Sequence, residues 1–139
     1  MIRILIVDDH ALVRRGLRQV IGEGWASAVV GEARNATEAM ELVWKQHWDV
    51  VIADITMPGR SGLDLLREIK SARPKLPVII LSMHTEDELG VRVIKAGAAG
   101  FVSKESAPDE LVAAIRKVLS GGRYVGPRLA EKMAYYIGT

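Results

Sequence analysis

Met1-Ile2-Arg3-Ile4-Leu5-Ile6-Val7-Asp8-Asp9-His10 drives a short apolar run straight into a pair of acids. The run is continuous rather than alternating, the pattern of a strand buried on both faces of a parallel sheet. Four further runs share its character: Ala28–Gly31, Val50–Ala53, Val78–Leu81 and Gly100–Val102, centred near Val30, Val51, Ile79 and Phe101. Between them lie helix-length segments with apolar residues three or four apart, such as Val13, Leu17 and Val20, or Leu111, Ile115 and Val118. Strands alternating with helices require right-handed crossovers. They predict an α/β fold, a doubly wound parallel sheet of five βα units over roughly the first 120 residues.

The predicted helix starts repeat one device. Asn35…Glu38, Ser61…Asp64, Thr85…Glu88 and Ser106…Asp109 each set a capping side chain three residues before an acid. The helix after the first strand lacks it, and its start is occupied by Asp8-Asp9-His10, which suggests other work for those acids. Gly121-Gly122 ends the last long helix. Beyond it, Pro127 opens a short helix with Leu129, Met133, Tyr136 and Ile137 on one side. That stripe must pack on this domain, on a second copy or on a further domain. Trp44 and Trp48 are expected around the second helix and the entry to the third strand.

With 139 residues, 49% of them hydrophobic and 26% charged, the chain suits one globular domain and not a disordered or collagenous one. It has no cysteine, which excludes a disulfide framework, a thiolate zinc site and a cysteine nucleophile, and fits a reducing cytoplasm. A net charge of +2, without basic stretches interleaved with aromatics, gives no nucleic-acid signature. No segment approaches the roughly 18 apolar residues of a membrane span, and the first run is too short for a signal-peptide core.

In open α/β sheets ligands collect at the carboxyl ends of the strands. Here those ends carry Asp8 and Asp9 after the first strand, Asp54 after the third, Ser82 after the fourth and Lys104 after the fifth. The second ends Gly31-Glu32-Ala33 and is assigned nothing. Three converging carboxylates repel, so at least one pKa should rise unless cations compensate. Lys104 is one such cation. A hard divalent ion is the other, and Mg²⁺ suits the site better than zinc because neither Cys nor His stands among these residues.

Four motifs, Ile6-Val7-Asp8-Asp9-His10, Asp54-Ile55-Thr56-Met57-Pro58-Gly59, Leu81-Ser82-Met83-His84 and Gly97-Ala98-Ala99-Gly100-Phe101-Val102-Ser103-Lys104, together resemble the receiver domain of two-component response regulators. The flavour is that of the NarL/FixJ type, whose receivers precede a LuxR-type helix-turn-helix domain. The resemblance implies a flavodoxin-like (βα)5 sheet in strand order 2-1-3-4-5. Residues 1–122 would be the receiver and 123–139 the start of a linker toward an absent DNA-binding domain. Asp54 would take a phosphoryl group from a sensor histidine kinase. Asp9 would bind Mg²⁺ directly, Asp8 mostly through water, with Asp54 and the Thr56 carbonyl as further ligands.

The same resemblance gives Lys104 and Ser82 to the phosphoryl oxygens and makes Ser82 and Phe101 a coupled switch. It has Thr56 and His84 tune the phosphate lifetime. Arg14, Arg15 and Arg18 on the first helix would dock the kinase, and phosphorylation would favour a homodimer. DNA would be reached only through the absent domain, and no membrane is involved. The chain would then be a signalling switch rather than an enzyme; a stand-alone receiver acting by protein contact is the alternative. An aspartate-nucleophile phosphatase typically needs an acid where Thr56 stands. Two departures from the family pattern are Glu105, where many receivers have proline and often a cis bond, and Phe101, which lacks the hydroxyl of the commoner tyrosine.

Overall fold

The computed structural model describes residues 1–83 and 87–138. In chain order the elements are β1 (Arg3–Val7), α1 (Ala11–Gly24), β2 (Val29–Ala33), α2 (Ala36–Lys45), β3 (Val50–Asp54) and α3 (Gly62–Ala72). They continue with β4 (Val78–Ser82), α4 (Asp87–Lys95), β5 (Gly100–Ser103), α5 (Ala107–Leu119) and α6 (Pro127–Gly138). All strand pairs are parallel, in the order β2-β1-β3-β4-β5 that the resemblance implies. Alternation along each strand sends one set of side chains to each layer of helices. Leu5, Val7, Val51, Ala53, Ile80 and Phe101 meet α2, α3 and α4 on one face. Ile4, Ile6, Val50, Ile52, Leu81 and Val102 meet α1 and α5 on the other. No described helix is long and apolar enough to cross a membrane.

The central strands β3 and β4 are buried at every position, as continuous Val/Ile/Leu runs require. The edge strand β2 departs from the expectation in extent and in burial: it ends at Ala33 rather than Gly31 and is mostly half-buried. Its Gly31 lies beneath the Trp48 indole, where a Cβ would come within 2.3 Å of ring carbon Cη2. Trp48 is buried and donates Nε1–H to the Leu42 carbonyl at 2.9 Å, at the end of α2 and the entry to β3 as expected. Trp44 does not join it; its ring is largely exposed, with the Arg73 guanidinium 4.6 Å from its centroid.

Asn35 Oδ1 accepts the Glu38 N–H at 2.9 Å, and Ser61 with Asp64 forms a reciprocal capping box. Ser106 makes no such cap. Its backbone is already helical, and its N–H donates to Ser103 Oγ at 3.1 Å, so the serine closes the β5 turn instead. The Thr85…Glu88 reading and the side chains of Tyr136 and Ile137 lie outside the described residues. At the end of α5, Gly121 has φ +91° and Gly122 N–H returns to the Lys117 carbonyl at 3.0 Å, a glycine stop that the left-handed backbone requires.

The tail then joins the sheet. Tyr124 N–H donates to the Ala99 carbonyl at 2.8 Å, and Phe101 N–H donates to the Tyr124 carbonyl at 3.1 Å, so one residue extends the free edge of β5. From there α6 packs on α4, with Leu129 buried and Met133 partly so. Leu129 and Met133, the described part of the apolar stripe, thus rest on this domain.

Candidate functional site

Asp54 is the last residue of β3 and is only 3% exposed. The loop after it folds back tightly: Gly62 N–H donates to the Ile55 carbonyl at 2.8 Å, and a Cβ on Gly62 would fall 2.3 Å from the Asp54 carbonyl oxygen. Asp54 Oδ1 accepts the Thr56 N–H at 3.3 Å. Its Oδ2 lies 3.0 Å from Lys104 Nζ, and the same ammonium stands 3.0 Å from Asp8 Oδ2. Lys104 is aimed by its own backbone, whose N–H donates to the Ser82 carbonyl at 2.9 Å and ties the end of β5 to β4. Asp8 is buried; its Oδ1 accepts the His10 N–H at 2.8 Å, and its carbonyl accepts from Arg14 Nη1 at 2.6 Å.

The pKa of one carboxylate does rise as expected, but burial rather than the crowding of acids leads. Burial, foremost, pushes the Asp54 pKa up; the Lys104 ammonium opposes this and the Asp8 charge adds to it. Burial alone would pull Lys104 down, but its contacts with Asp54 and Asp8 outweigh it and hold its pKa above the usual lysine value. The ammonium therefore stays charged, and it must serve two carboxylates at once.

Among the described residues two buried carboxylate oxygens, Asp8 Oδ2 and Asp9 Oδ1, meet only ion-pair nitrogens, Lys104 Nζ at 3.0 Å and His10 Nδ1 at 3.2 Å. Buried anionic oxygens with lone pairs left over beside such ion pairs fit a hard cation. The premise that no histidine stands here fails. His10 Nδ1 lies 3.2 Å from Asp9 Oδ1 and 3.4 Å from Asp8 Oδ1, because the first residues after β1 turn directly into α1. Ligand atoms of Asp8, Asp9 and His10 fall within 4.8 Å of one another. Oxygens outnumber the single exposed imidazole, so the donor set remains that of an oxygen-seeking cation such as Mg²⁺.

Of the remaining expected residues, Ser82 is fully buried at the end of β4 and Phe101 is 8% exposed. The register pairs Ile80 with Phe101 and Ser82 with Ser103, which puts Ser82 and Phe101 on the same sheet face. Thr56 lies exposed at the rim. His84 lies outside the described residues. No described peptide bond is cis, as Glu105 in place of proline leads one to expect. The three arginines do not form one open basic patch: Arg14 and Arg18 bind Glu32 of β2 at 2.9 and 2.6 Å, leaving Arg15 outside these pairs. Glu32 and Gly62 matter to the site's frame and carry no local motif, and His10, though it closes the first motif, takes no role from it; spatial neighbours reveal all three.

Residues 4–116 match the family described as the response regulator receiver domain. The chain is 43% identical over 134 residues to the response regulator UvrY of Escherichia coli strain K12, covering 96% of this chain and 62% of UvrY. It thus spans about three fifths of the length of the curated relatives it matches. Among solved structures, a LuxR-family two-component response regulator from Aurantimonas sp. SI85-9A1 superposes with a TM-score of 0.88 at 37% identity, covering 99% of this chain and 98% of that one. The isolated REC domain of RcsB from Salmonella enterica serovar Typhimurium, solved with the phosphomimetic BeF3⁻, gives 0.84 at 28% identity, covering 94% and 96%. With the fold, the acidic pocket and the family match in agreement, the chain belongs to the response regulator receiver domain family.

Proposed function

We propose that this receiver takes a phosphoryl group on Asp54 from the phosphohistidine of a sensor histidine kinase and thereby controls a transcription-regulating output domain. The observation that carries the reading is the half-buried Lys104 ammonium, 3.0 Å from both Asp54 and Asp8 at the carboxyl edge of the sheet. A carboxylate oxygen of Asp54 attacks phosphorus, forming a P–O bond as the P–N bond to imidazole breaks; the imidazole leaves with that electron pair and takes a proton from water. Lys104 and the Ser82 hydroxyl hold phosphoryl oxygens. Asp8, Asp9, Asp54 and the Thr56 carbonyl would hold Mg²⁺, which when bound neutralises charge on the transferring group. Hydrolysis of the acyl phosphate resets the switch, with Thr56 and His84 tuning its rate.

In this reading residues 1–122 are the receiver and 123–139 begin the connection to a helix-turn-helix domain, the only part to touch DNA. The chain works in the cytoplasm and dimerises on phosphorylation. The longer curated relatives support this organisation. A stand-alone receiver is the second reading, favoured by α6 packing on its own domain. The test is incubation with acetyl phosphate and Mg²⁺ followed by intact mass. A phosphoryl adduct on the wild-type chain, absent from Asp54→Asn, is expected; no adduct, or one retained in the variant, overturns the reading.

A further inference from the structure

We propose that α6 is a latch on the switch aromatic: Leu129 seats beside Phe101 over Gly90, and phosphorylation at Asp54 loosens that seat. The inference rests on the phosphoryl-acceptor reading of Asp54 and adds the element that responds to it. A Cβ placed on Gly90 of α4 would lie 2.7 and 3.0 Å from the two Leu129 methyl carbons and 3.2 Å from Phe101 Cδ2. The glycine leaves a notch in α4, and those two side chains fill it from α6 and from β5. The tie has a second strand, since Phe101 N–H binds the Tyr124 carbonyl just before α6 begins.

Among the described side chains of α6, Leu129 is the buried one. Leu129 is 7% exposed and Met133 partly buried, whereas Ala130, Glu131, Lys132, Ala134 and Tyr135 are exposed. A C-terminal helix whose buried contact centres on one leucine is the kind of element that opens locally ahead of the sheet. Phe101 shares its sheet face with Ser82. A phosphoryl group that draws the Ser82 hydroxyl toward Asp54 vacates space on that face, and the ring moves inward to fill it. Leu129 then loses one wall of its notch. Because coupling between two sites is reciprocal, undocking α6 must in turn favour the phosphorylated arrangement.

Hydrogen exchange of residues 127–138 in the full chain tests this, with and without beryllofluoride plus Mg²⁺ as the phosphoryl mimic. Protection should fall about tenfold on adding the mimic, within the usual range of coupling between sites. Leu129→Ala should remove protection without the mimic. Gly90→Ala should do the same, because its Cβ enters the notch while alanine suits the interior of α4 better than glycine. Both variants should bind beryllofluoride about fivefold more tightly, as linkage requires. Unchanged α6 protection with the mimic bound, or unchanged affinity in both variants, overturns the latch. If amide resonances beside Asp54 do not respond to beryllofluoride at all, the phosphoryl-acceptor reading fails, and the latch with it.

Discussion

At the β2 edge one guanidinium group takes a main-chain acceptor that a neighbouring strand would use; at the β5 edge the segment after α5 supplies the strand. Arg18 reaches over β2 to bind Glu32 at 2.6 Å and the Val30 carbonyl at 3.2 Å, occupying an edge acceptor with a side chain. Across the sheet, Tyr124 exchanges main-chain hydrogen bonds with Ala99 and Phe101, and α6 covers the adjoining helix. Both devices blunt an edge that would otherwise template another strand. They differ in what can undo them. Charge at the β2 edge answers to salt and acid, whereas apolar seating at the β5 edge answers to the position of Phe101. In the proposed latch, the edge that responds to the switch is the one built from packing.

The same substitution placed on each edge gives the largest contrast. Gly31→Ala sets a Cβ 2.3 Å from the Trp48 ring, which is held by its bond to the Leu42 carbonyl and by Arg3 over its face. Overpacking against a pinned ring should cost about 3 kcal/mol, read from urea unfolding. Gly100→Ala on β5 meets nothing closer than 3.3 Å, at Ile79 and the Tyr124 carbonyl. It should cost about 1 kcal/mol or less, since neighbours need shift only slightly. Equal costs would mean that the indole has room and that β2 is not closed by it.

That contrast also explains what could be read in advance. Central strands announce themselves because burial on both faces demands unbroken Val, Ile and Leu, and the acids follow at their ends. Asp8, Asp9, Asp54, Ser82 and Lys104 were therefore legible as a group, since strand direction alone brings them to one edge. The end of β2 was not, because Gly31 and Glu32 answer to Trp48, Arg14 and Arg18, partners distant in the chain. Ser106 carried a capping pattern, yet the nearer Ser103 hydroxyl took its N–H. Gly62 reads as an ordinary helix-start residue until the Asp54 carbonyl is found against it.

A smaller effect separates the edges by pH. Tyr124 Oη donates to Glu110 Oε1 at 2.8 Å, and burial together with that carboxylate pushes the phenol's pKa up to about 12. The unfolded phenol titrates near ~10, so the folded state favours the neutral hydroxyl. Its contribution is complete below pH ~10 and is lost as pH climbs through the folded value. Tyr124→Phe should cost about 1 kcal/mol at neutral pH, the worth of a half-buried hydrogen bond. It should also lose less stability than wild type between pH 10 and 12. Parallel alkaline profiles of the two proteins would show that the tail is not held by this hydroxyl.

The smallest effect belongs to the charged edge and runs in the opposite direction. The hydrogen bond from Arg18 is the main reason the Glu32 carboxyl sits below its usual range; burial opposes it and Arg14 assists. A depressed folded pKa means that stability from this group is present above the unfolded value of ~4.3 and drains away as pH falls through the folded one. Glu32 is one-third exposed, so solvent and salt screen the pairs and Glu32→Gln should cost only about 0.5 kcal/mol at neutral pH. The difference from wild type should shrink further in 1 M salt, where the screening length is only ~3 Å, and should vanish in acid. Tyr124→Phe, by contrast, should keep its deficit across the same salt range, because a neutral hydroxyl makes that bond. If salt erased both deficits equally, the tail would be held by surface charge as β2 is, and the β5 edge would lose the charge-independent seating that lets Phe101 govern it.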